Sequence, residues 1–563
     1  MVQAFTELEQ KGLEVFVTSA SDQFYGVKNT LPSEVFGALG SFFSRNPKDF
    51  RAHLLDAILG RISGYESEGG EENLRKLAAG EFSPPHLAIL SGLAKSQAFF
   101  RDFYGKYSHK SIANTVWIPM VGTHVSQLFA RELAYDQLAF FIEQSTRYVD
   151  FDKSKVQKDP RVMASTVAAI YEQSLEALLG ANKETTQAVI EHFKQQIPFD
   201  KWLERQDIKV RAEEKAKQEV KYTRELRAKA FDVSRYLLPQ AIQTNIAWIV
   251  DARSLEFDIA AWKGHPLTEL QEAAAAIERN AGQIAPSLLK YTGKNPYYAD
   301  KLAGYDFKER KLRGDLPFRP GSSHFGKGVD ILEYNADGLN SVLAHVLKRH
   351  EMGGTFRECR ERIATMQFRE KLAMLERIVA NRERTDEKLE TDEEFDLVKM
   401  TVEIRSDVGA IRDLRRHQKN DRSEPLLTLA SGYSTPATIQ EMHPEVQRRF
   451  REAMERAAEG EARVARQFPF EAQYLVPMAA NHTLTMSLGM DQLQYLVWTR
   501  STPQGHFSYR QDAINLAEAA AKVQPWLLGY EQYPEGKSFA EVYANAPLKK
   551  LLRVQMEETD LHQ

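Results

Sequence analysis

The chain has 563 residues, 27% of them charged, and a formal net charge of -4. That length exceeds one ordinary core and predicts two or more domains, while the near-neutral balance excludes a protein that lives on a nucleic-acid backbone. The single cysteine, Cys359, excludes an intrachain disulfide and any cysteine-built metal site, no metal centre is expected, and with no apolar window long enough for a membrane span and no signal pattern at Met1-Val2-Gln3-Ala4, a soluble cytoplasmic protein is expected.

In chain order, residues 13–17 alternate like a short strand, and a helix is expected after Pro32 with Ser33 as its cap. Helices then dominate to about residue 104. Val116, Ile118 and Met120 read as one face of a strand that Gly122-Thr123 breaks, and His124 to Phe141 as a helix leading into Glu143-Gln144-Ser145-Thr146-Arg147-Tyr148. If this last segment is extended, Glu143, Ser145 and Arg147 point to one side. Two readings compete there: a grip in which the carboxylate orients the guanidinium for bidentate binding of a phosphate, and a surface ion pair of little worth.

Residues from about 153 to 232 read as a solvated, charged helical insertion, with its most charged part at 211–229. The core resumes at Ser234 to Pro239, and a second apolar helix is expected through Thr244, Trp248, Val250 and Ala252-Arg253-Ser254-Leu255. Residues 293–325 carry the turn chemistry of a linker. The order of elements then recurs. Val329 to Tyr334 is a strand, Leu339 to Leu347 a helix, and a charged helical pair runs to about 393. Val398, Met400, Val402 and Ile404 alternate as a strand, a helix from Asp407 ends in Arg412-Asp413-Leu414-Arg415-Arg416-His417-Gln418, and Tyr474 to Pro477 precedes a further apolar helix. Glu424 stands opposite Glu143 at an offset of 281, and Pro477 opposite Pro239 at an offset of 238. The chain therefore reads as diverged tandem copies, 1–310 and 326–563, joined by a linker at 311–325, the second with the shorter insertion.

These residues resemble the flavin-dependent thymidylate synthases, whose signature RHRxxSxNExSxRY is followed by a segment close to RxxLPxxxxTxxxWxxNxRSL. Glu143-Gln-Ser145-Thr-Arg147-Tyr148 matches the end of the signature. Arg235, Leu238-Pro239, Thr244, Trp248 and Arg253-Ser254-Leu255 match the second segment, and Ser108-His109-Lys110-Ser111 resembles the family's GHxS turn. The resemblance implies an α+β fold in each copy, a central, mostly antiparallel sheet flanked by long helices, helix-rich overall. The first copy departs from the pattern with Tyr135-Asp136-Gln137 in place of RHR, Phe140 for the serine, Ile142 for the asparagine, Asn245 after Thr244 and Gln271 at the terminal arginine. The second keeps Arg416-His417 and Arg510 but has Pro425-Leu426-Leu427-Thr428 where SxRY belongs.

In the family one subunit supplies ExSxR to the nucleotide and its partner supplies the RHR region and the terminal arginine, so the losses here are complementary. The expectation is a pseudo-dimer with one composite pocket, and a dead one where Tyr135-Asp136-Gln137 faces Pro425-Leu426-Leu427. The resemblance implies nucleotide binding by Glu143, Ser145, Arg147 and Arg416, flavin contacts from Arg416, His417, Arg500, His506, His109 and Ser111, and Arg510 as the catalytic residue beside the pyrimidine. The implied reaction is FAD-dependent reductive methylation of dUMP to dTMP with methylenetetrahydrofolate and NADPH. Alternatives are a flavin enzyme acting on another nucleotide and a non-catalytic nucleotide-binding protein. Analogy with the family's tetramers implies a homodimer of two-copy chains, with neither nucleic acid nor membrane as partner.

Overall fold

The computed structural model describes residues 5–21, 27–43, 50–61, 70–83, 93–107, 110–147, 155–205, 215–297, 305–306, 311–312, 326–350, 354–380 and 393–556. The N-terminal part is helical: α1 (Glu7–Leu13), α2 (Ser33–Phe43), α3 (Phe50–Ile58), α4 (Gly70–Ala79) and α5 (Leu93–Tyr107). The strand expected at 13–17 is not formed. A capping box between Thr6 and Glu9 starts α1, Leu13 ends it, and Leu13, Phe16 and Val17 are buried among the helices, with Val17 making only a lone bridge to Val27. Ser33 is the first residue of α2 rather than its cap.

The first copy's sheet consists of β1 (Trp117–Ser126), β2 (Phe140–Glu143) and β3 (Gln243–Asp251) in the order β1-β3-β2, all antiparallel. β1 runs past the expected break and absorbs it as a register irregularity between Gly122 and Val125. The long helix expected over 124–141 is only α6 (Gln127–Leu133), capped by Ser126, and the chain then turns back into β2. Next come α7 (Ala168–Gln196), α8 (Phe199–Arg205) and α9 (Lys215–Ser234). The insertion is not simply solvated. Tyr171, Leu175, Leu178 and Val189 of α7 lie in the main core, and α9 exposes its lysines while burying Tyr222, Leu226 and Ala230. Residues 244–250, expected as helix, form β3, because Ile246, Trp248 and Val250 bury one face and are flanked by β1 and β2. Helices α10 (Ala252–Gly264) and α11 (Thr268–Ile284) follow. Apart from Lys311 and Leu312, the expected linker at 311–325 lies outside the described residues.

The second copy repeats this arrangement with β4 (Gly328–Tyr334), α12 (Gly338–His350), α13 (Phe356–Ala364), α14 (Phe368–Val379), β5 (Lys399–Asp407), α15 (Val408–Leu414), β6 (Asp421–Ser423), α16 (Pro444–Ala465), β7 (Asn481–Gly489), α17 (Met490–Arg500) and α18 (Phe507–Val523). Its sheet order is β4-β5-β7-β6. As in the first copy, the segment after the proline is a strand, β7, where a helix was expected. β5 pairs with β7 as β1 pairs with β3, and β6 lies on β7 as β2 lies on β3.

The copies join about a local two-fold centre. Pro239 and Pro477 form an isolated antiparallel bridge. Gln240 N donates to Val476 O (3.0 Å) and Ala241 N to Tyr474 O (2.9 Å), and in reverse Met478 N donates to Leu238 O (3.0 Å) and Ala479 N to Tyr236 O (2.9 Å). One apolar core spans the join, with Leu128, Tyr171, Leu237 and Val250 from the first copy and Val408, Phe450, Leu475 and Val476 from the second. Gly460 of α16 lies against Ser174 of α7, so these helices approach closely.

Candidate functional site

Glu143 closes β2 and faces the second copy. Its carboxylate receives Arg412 Nη2 at 2.5 Å and Arg416 Nη2 at 3.3 Å, and its side chain is only 4% exposed. Arg412 comes from α15, whose Asp407 cap fixes the helix start, and it also donates to Thr146 Oγ1 at 3.1 Å. The expected meeting of Glu143 with Arg416 across the copies is therefore present, and Arg412 is a partner that the motif did not single out. Its signal was available in the repeat, because Arg131 precedes Glu143 at the same spacing at which Arg412 precedes Glu424. Burial opposes the charge on Arg412, but Glu143 and Asp413 outweigh it and raise the pKa.

The triplet of Glu143, Ser145 and Arg147 does not share one strand face. β2 ends at Glu143, the chain turns, and Ser145 Oγ accepts from Arg147 N at 3.2 Å. Arg147 leans instead on Asp232 of α9, through Nε to Oδ1 at 2.6 Å and Nη2 to Oδ2 at 2.8 Å. Its Nη2 also reaches Gln504 O (3.1 Å) and its Nη1 the Tyr509 hydroxyl (3.4 Å), both in the second copy. The fork expected to hold a phosphate thus has its Nε/Nη2 edge engaged by a carboxylate, which is the correction to the strand-edge grip.

Around Tyr509 the cluster closes. Arg500 lies over its ring at 5.6 Å and donates Nε to His417 Nε2 at 2.9 Å. Burial, followed by Arg500 and Arg422, depresses the His417 pKa well below the ordinary imidazole value, so His417 is neutral and accepts. Asp413 sits behind the arginines. Burial favours its protonation, but Arg416, Arg235 and Arg412 outweigh it and hold the carboxyl far below its usual range. Among the described residues, Arg147, Arg235, Arg412, Arg416 and Arg500 thus converge on Glu143, Asp232 and Asp413, a cluster richer in guanidiniums than in carboxylates.

His506 does not lie open to a ligand. It is buried, stacks on Tyr236 and Phe507, and its Nε2 donates to Asp232 O at 3.0 Å. Burial, then Arg235, lowers its pKa to about 4. Arg510, expected beside the pyrimidine, places its guanidinium on Ser501 O (3.1 Å) and Gln555 O (3.4 Å), tying α18 to the turn that carries Gln504. Ser111 is exposed in the 3-10 turn Lys110–Thr115 and makes no hydrogen bond to this cluster among the described residues, and His109 lies outside them. Asn245 spends its carbonyl oxygen on His124 N at 3.0 Å.

The mirror pocket is filled. Glu424 receives Arg131 Nη2 at 3.1 Å and pairs with His482 at 3.2 Å, with none of its side chain exposed. Tyr135 stands where Arg416 stands in the other half, between the guanidiniums of Arg131 (5.7 Å) and Arg422 (5.4 Å). At the place of His482 the first half has Thr244, a buried hydroxyl without a hydrogen-bond partner among the described residues. One half is thus plugged by side chains, while the other gathers Arg412 and Arg416 on Glu143 with Arg147 and Arg500 nearby, a donor set suited to an anionic, phosphate-bearing ligand such as a nucleotide or a flavin dinucleotide.

The family described as thymidylate synthase complementing protein matches residues 58–287 and 333–526. The chain belongs to that family, the flavin-dependent thymidylate synthases, and carries its domain twice. Among curated proteins it is similar to a UPF0159 protein of Chlamydia muridarum (27% identical over 534 residues, covering 92% of this chain and 94% of the relative). A UPF0159 protein of Thermoplasma acidophilum is 25% identical over 483 residues, covering 80% and 92%. Among solved structures it is similar to the UMP/dUMP methylase PolB of Streptomyces cacaoi bound with 5-Br dUMP (16% identity, 36% of this chain and 92% of that one, TM-score 0.28). Thymidylate synthase X of Helicobacter pylori with FAD and dUMP gives 16% identity, 36% and 98% coverage, and a TM-score of 0.25. Among the described residues, no helix is long and apolar enough to cross a membrane.

Proposed function

We propose that the protein catalyses FAD-dependent reductive methylation of dUMP to dTMP, with methylenetetrahydrofolate and NADPH as co-substrates, in one composite site per chain. The observation that carries this reading is the meeting of Glu143 from the first copy with Arg412 and Arg416 from the second, beside Arg147 and Arg500. Family membership supplies the reaction class.

Arg147 meets the nucleotide phosphate on its Nη1 side, beside Tyr509, and Ser145 shapes the turn that presents it. Glu143 fixes the planes of Arg412 and Arg416 with charge-assisted hydrogen bonds. Arg416, Arg500 and neutral His417 would hold the FAD; when bound, the flavin would supply hydride to the transferred one-carbon group. The guanidiniums stabilise negative charge that develops on the pyrimidine. Arg510 acts through the turn of residues 501–505 that carries Gln504. No enzyme thiol is required, and Cys359 is buried in α13, away from these residues. The active assembly is a homodimer of two-copy chains in the cytoplasm.

A second reading, a flavin enzyme for another nucleotide, is favoured by Asn245, whose side chain is tied to His124 where the family carries an arginine. Release of the C5 hydrogen from dUMP on adding NADPH and methylenetetrahydrofolate to the FAD-loaded chain is the test. Arg147→Ala and Arg416→Ala should each abolish it. A chain that takes up no flavin refutes both enzyme readings, and flavin uptake without C5 hydrogen release leaves the second.

A further inference from the structure

The helix α9 lies between Glu143 and Pro239, a stretch longer than the equivalent one between Glu424 and Pro477 in the second copy, and it delivers one carboxylate into the site. Asp232 lies in its last turn, where the exposed carbonyl dipoles disfavour negative charge. It is partly buried, 17% exposed, and both of its oxygens lie on Arg147, at 2.6 and 2.8 Å. Its backbone carbonyl is held in turn by His506 Nε2 at 3.0 Å, from the second copy. The counterpart of Arg147 in the second copy is Thr428, which bonds Glu461, and the counterpart of Asp232 is Phe470. Clamp and arginine are thus present together in the half where Glu143 meets Arg412 and Arg416, and absent together from the plugged half.

We propose that Asp232 is a positioning residue for nucleotide binding: by taking the Nε/Nη2 edge of Arg147 it fixes the guanidinium plane so that the Nη1 side, next to Tyr509, meets the ligand's phosphate. A guanidinium on a flexible stem otherwise loses rotamer freedom when it binds, and a bidentate carboxylate removes that freedom beforehand. Asp232 touches no ligand in this arrangement. The insertion is then part of the site, linking it through His506 to the second copy. This inference rests on the nucleotide reading given above.

The test uses the full-length, FAD-loaded chain, titrated calorimetrically with dUMP and, separately, with deoxyuridine, which lacks the phosphate. Asp232→Asn keeps the shape and one acceptor while removing the charge. It should raise the Kd for dUMP by about tenfold to a hundredfold, the loss of one charge-assisted hydrogen bond, while leaving flavin uptake and the affinity for deoxyuridine unchanged; Asp232→Glu should recover part of the loss. Equal weakening of both ligands marks a merely structural role and overturns the proposal. Unchanged binding overturns it as well, and tighter dUMP binding shows that the carboxylate competes with the phosphate instead of positioning its partner. A wild-type chain that binds no dUMP refutes the proposed function and this proposal with it, whereas the other adverse outcomes refute this proposal alone.

Discussion

Breaking the Glu143–Arg412 contact should show that the copies are energetically one unit. Both side chains are nearly inaccessible, at 4% and 6% exposure, and removing one partner of a buried, hydrogen-bonded ion pair costs about 3–5 kcal/mol. Arg412→Met leaves Glu143 with Arg416 alone, at 3.3 Å, and also strips Thr146 of a donor. The retained partner puts the expected loss near the lower end, about 3 kcal/mol. Glu143→Gln keeps an acceptor for Arg412, which retains Thr146 and the Gln144 carbonyl, so about 2 kcal/mol is expected. The double variant removes the contact only once and should cost about 3 kcal/mol, a coupling of roughly 2 kcal/mol. Urea denaturation followed by tryptophan fluorescence reads all four proteins. Costs that add to within about 0.5 kcal/mol, the behaviour of independent sites, would refute the claim that these residues from different copies share one buried interaction.

Three further outcomes are expected. His506→Gln should flatten the acid limb of stability. With its pKa lowered to about 4 in the fold, the native state resists a proton that the unfolded chain accepts near pH 6.5, so wild-type stability falls relative to the variant as pH drops from about 6.5 to 4, on the order of 1 kcal/mol per pH unit; melting curves across that range check it, and parallel profiles would contradict it. Gly460→Ala places a methyl group against Ser174 at the contact of α7 and α16 and should lower stability by about 1–3 kcal/mol, read from the thermal midpoint. Tyr135→Ala should empty the space between Arg131 and Arg422, costing about 2–4 kcal/mol while leaving dUMP affinity unchanged, because that plug belongs to the other half.

The parts of the site that were legible in the sequence were those fixed by local motif and repeat. Glu143 and Arg416 could be paired because the losses in the two copies are complementary, and the alternation of Val398 to Ile404 reads directly as β5. Pro239 and Pro477 are legible in the sequence as equivalent positions of the repeat, whereas the bridge that pairs them across the join comes from the fold. The stretch from Thr244 to Val250 reads as helix in the sequence because it runs straight into the true helix α10. Its strand character comes from being flanked by β1 and β2, which lie far away in sequence. Asp232 was hidden for a related reason. It closes a charged helix whose lysines face solvent, and only tertiary folding brings that helix end to Arg147. The one-sided Glu-Ser-Arg edge failed because β2 stops at Glu143, and the following turn sends Arg147 to α9.

The central claim, one nucleotide site assembled from both copies, is tested most directly by calorimetric titration of the FAD-loaded chain with dUMP. The account predicts one dUMP bound per chain, and loss of that binding in Arg147→Ala, from the first copy, and in Arg416→Ala, from the second. Two nucleotides bound per chain, or undiminished binding in either variant, would contradict it.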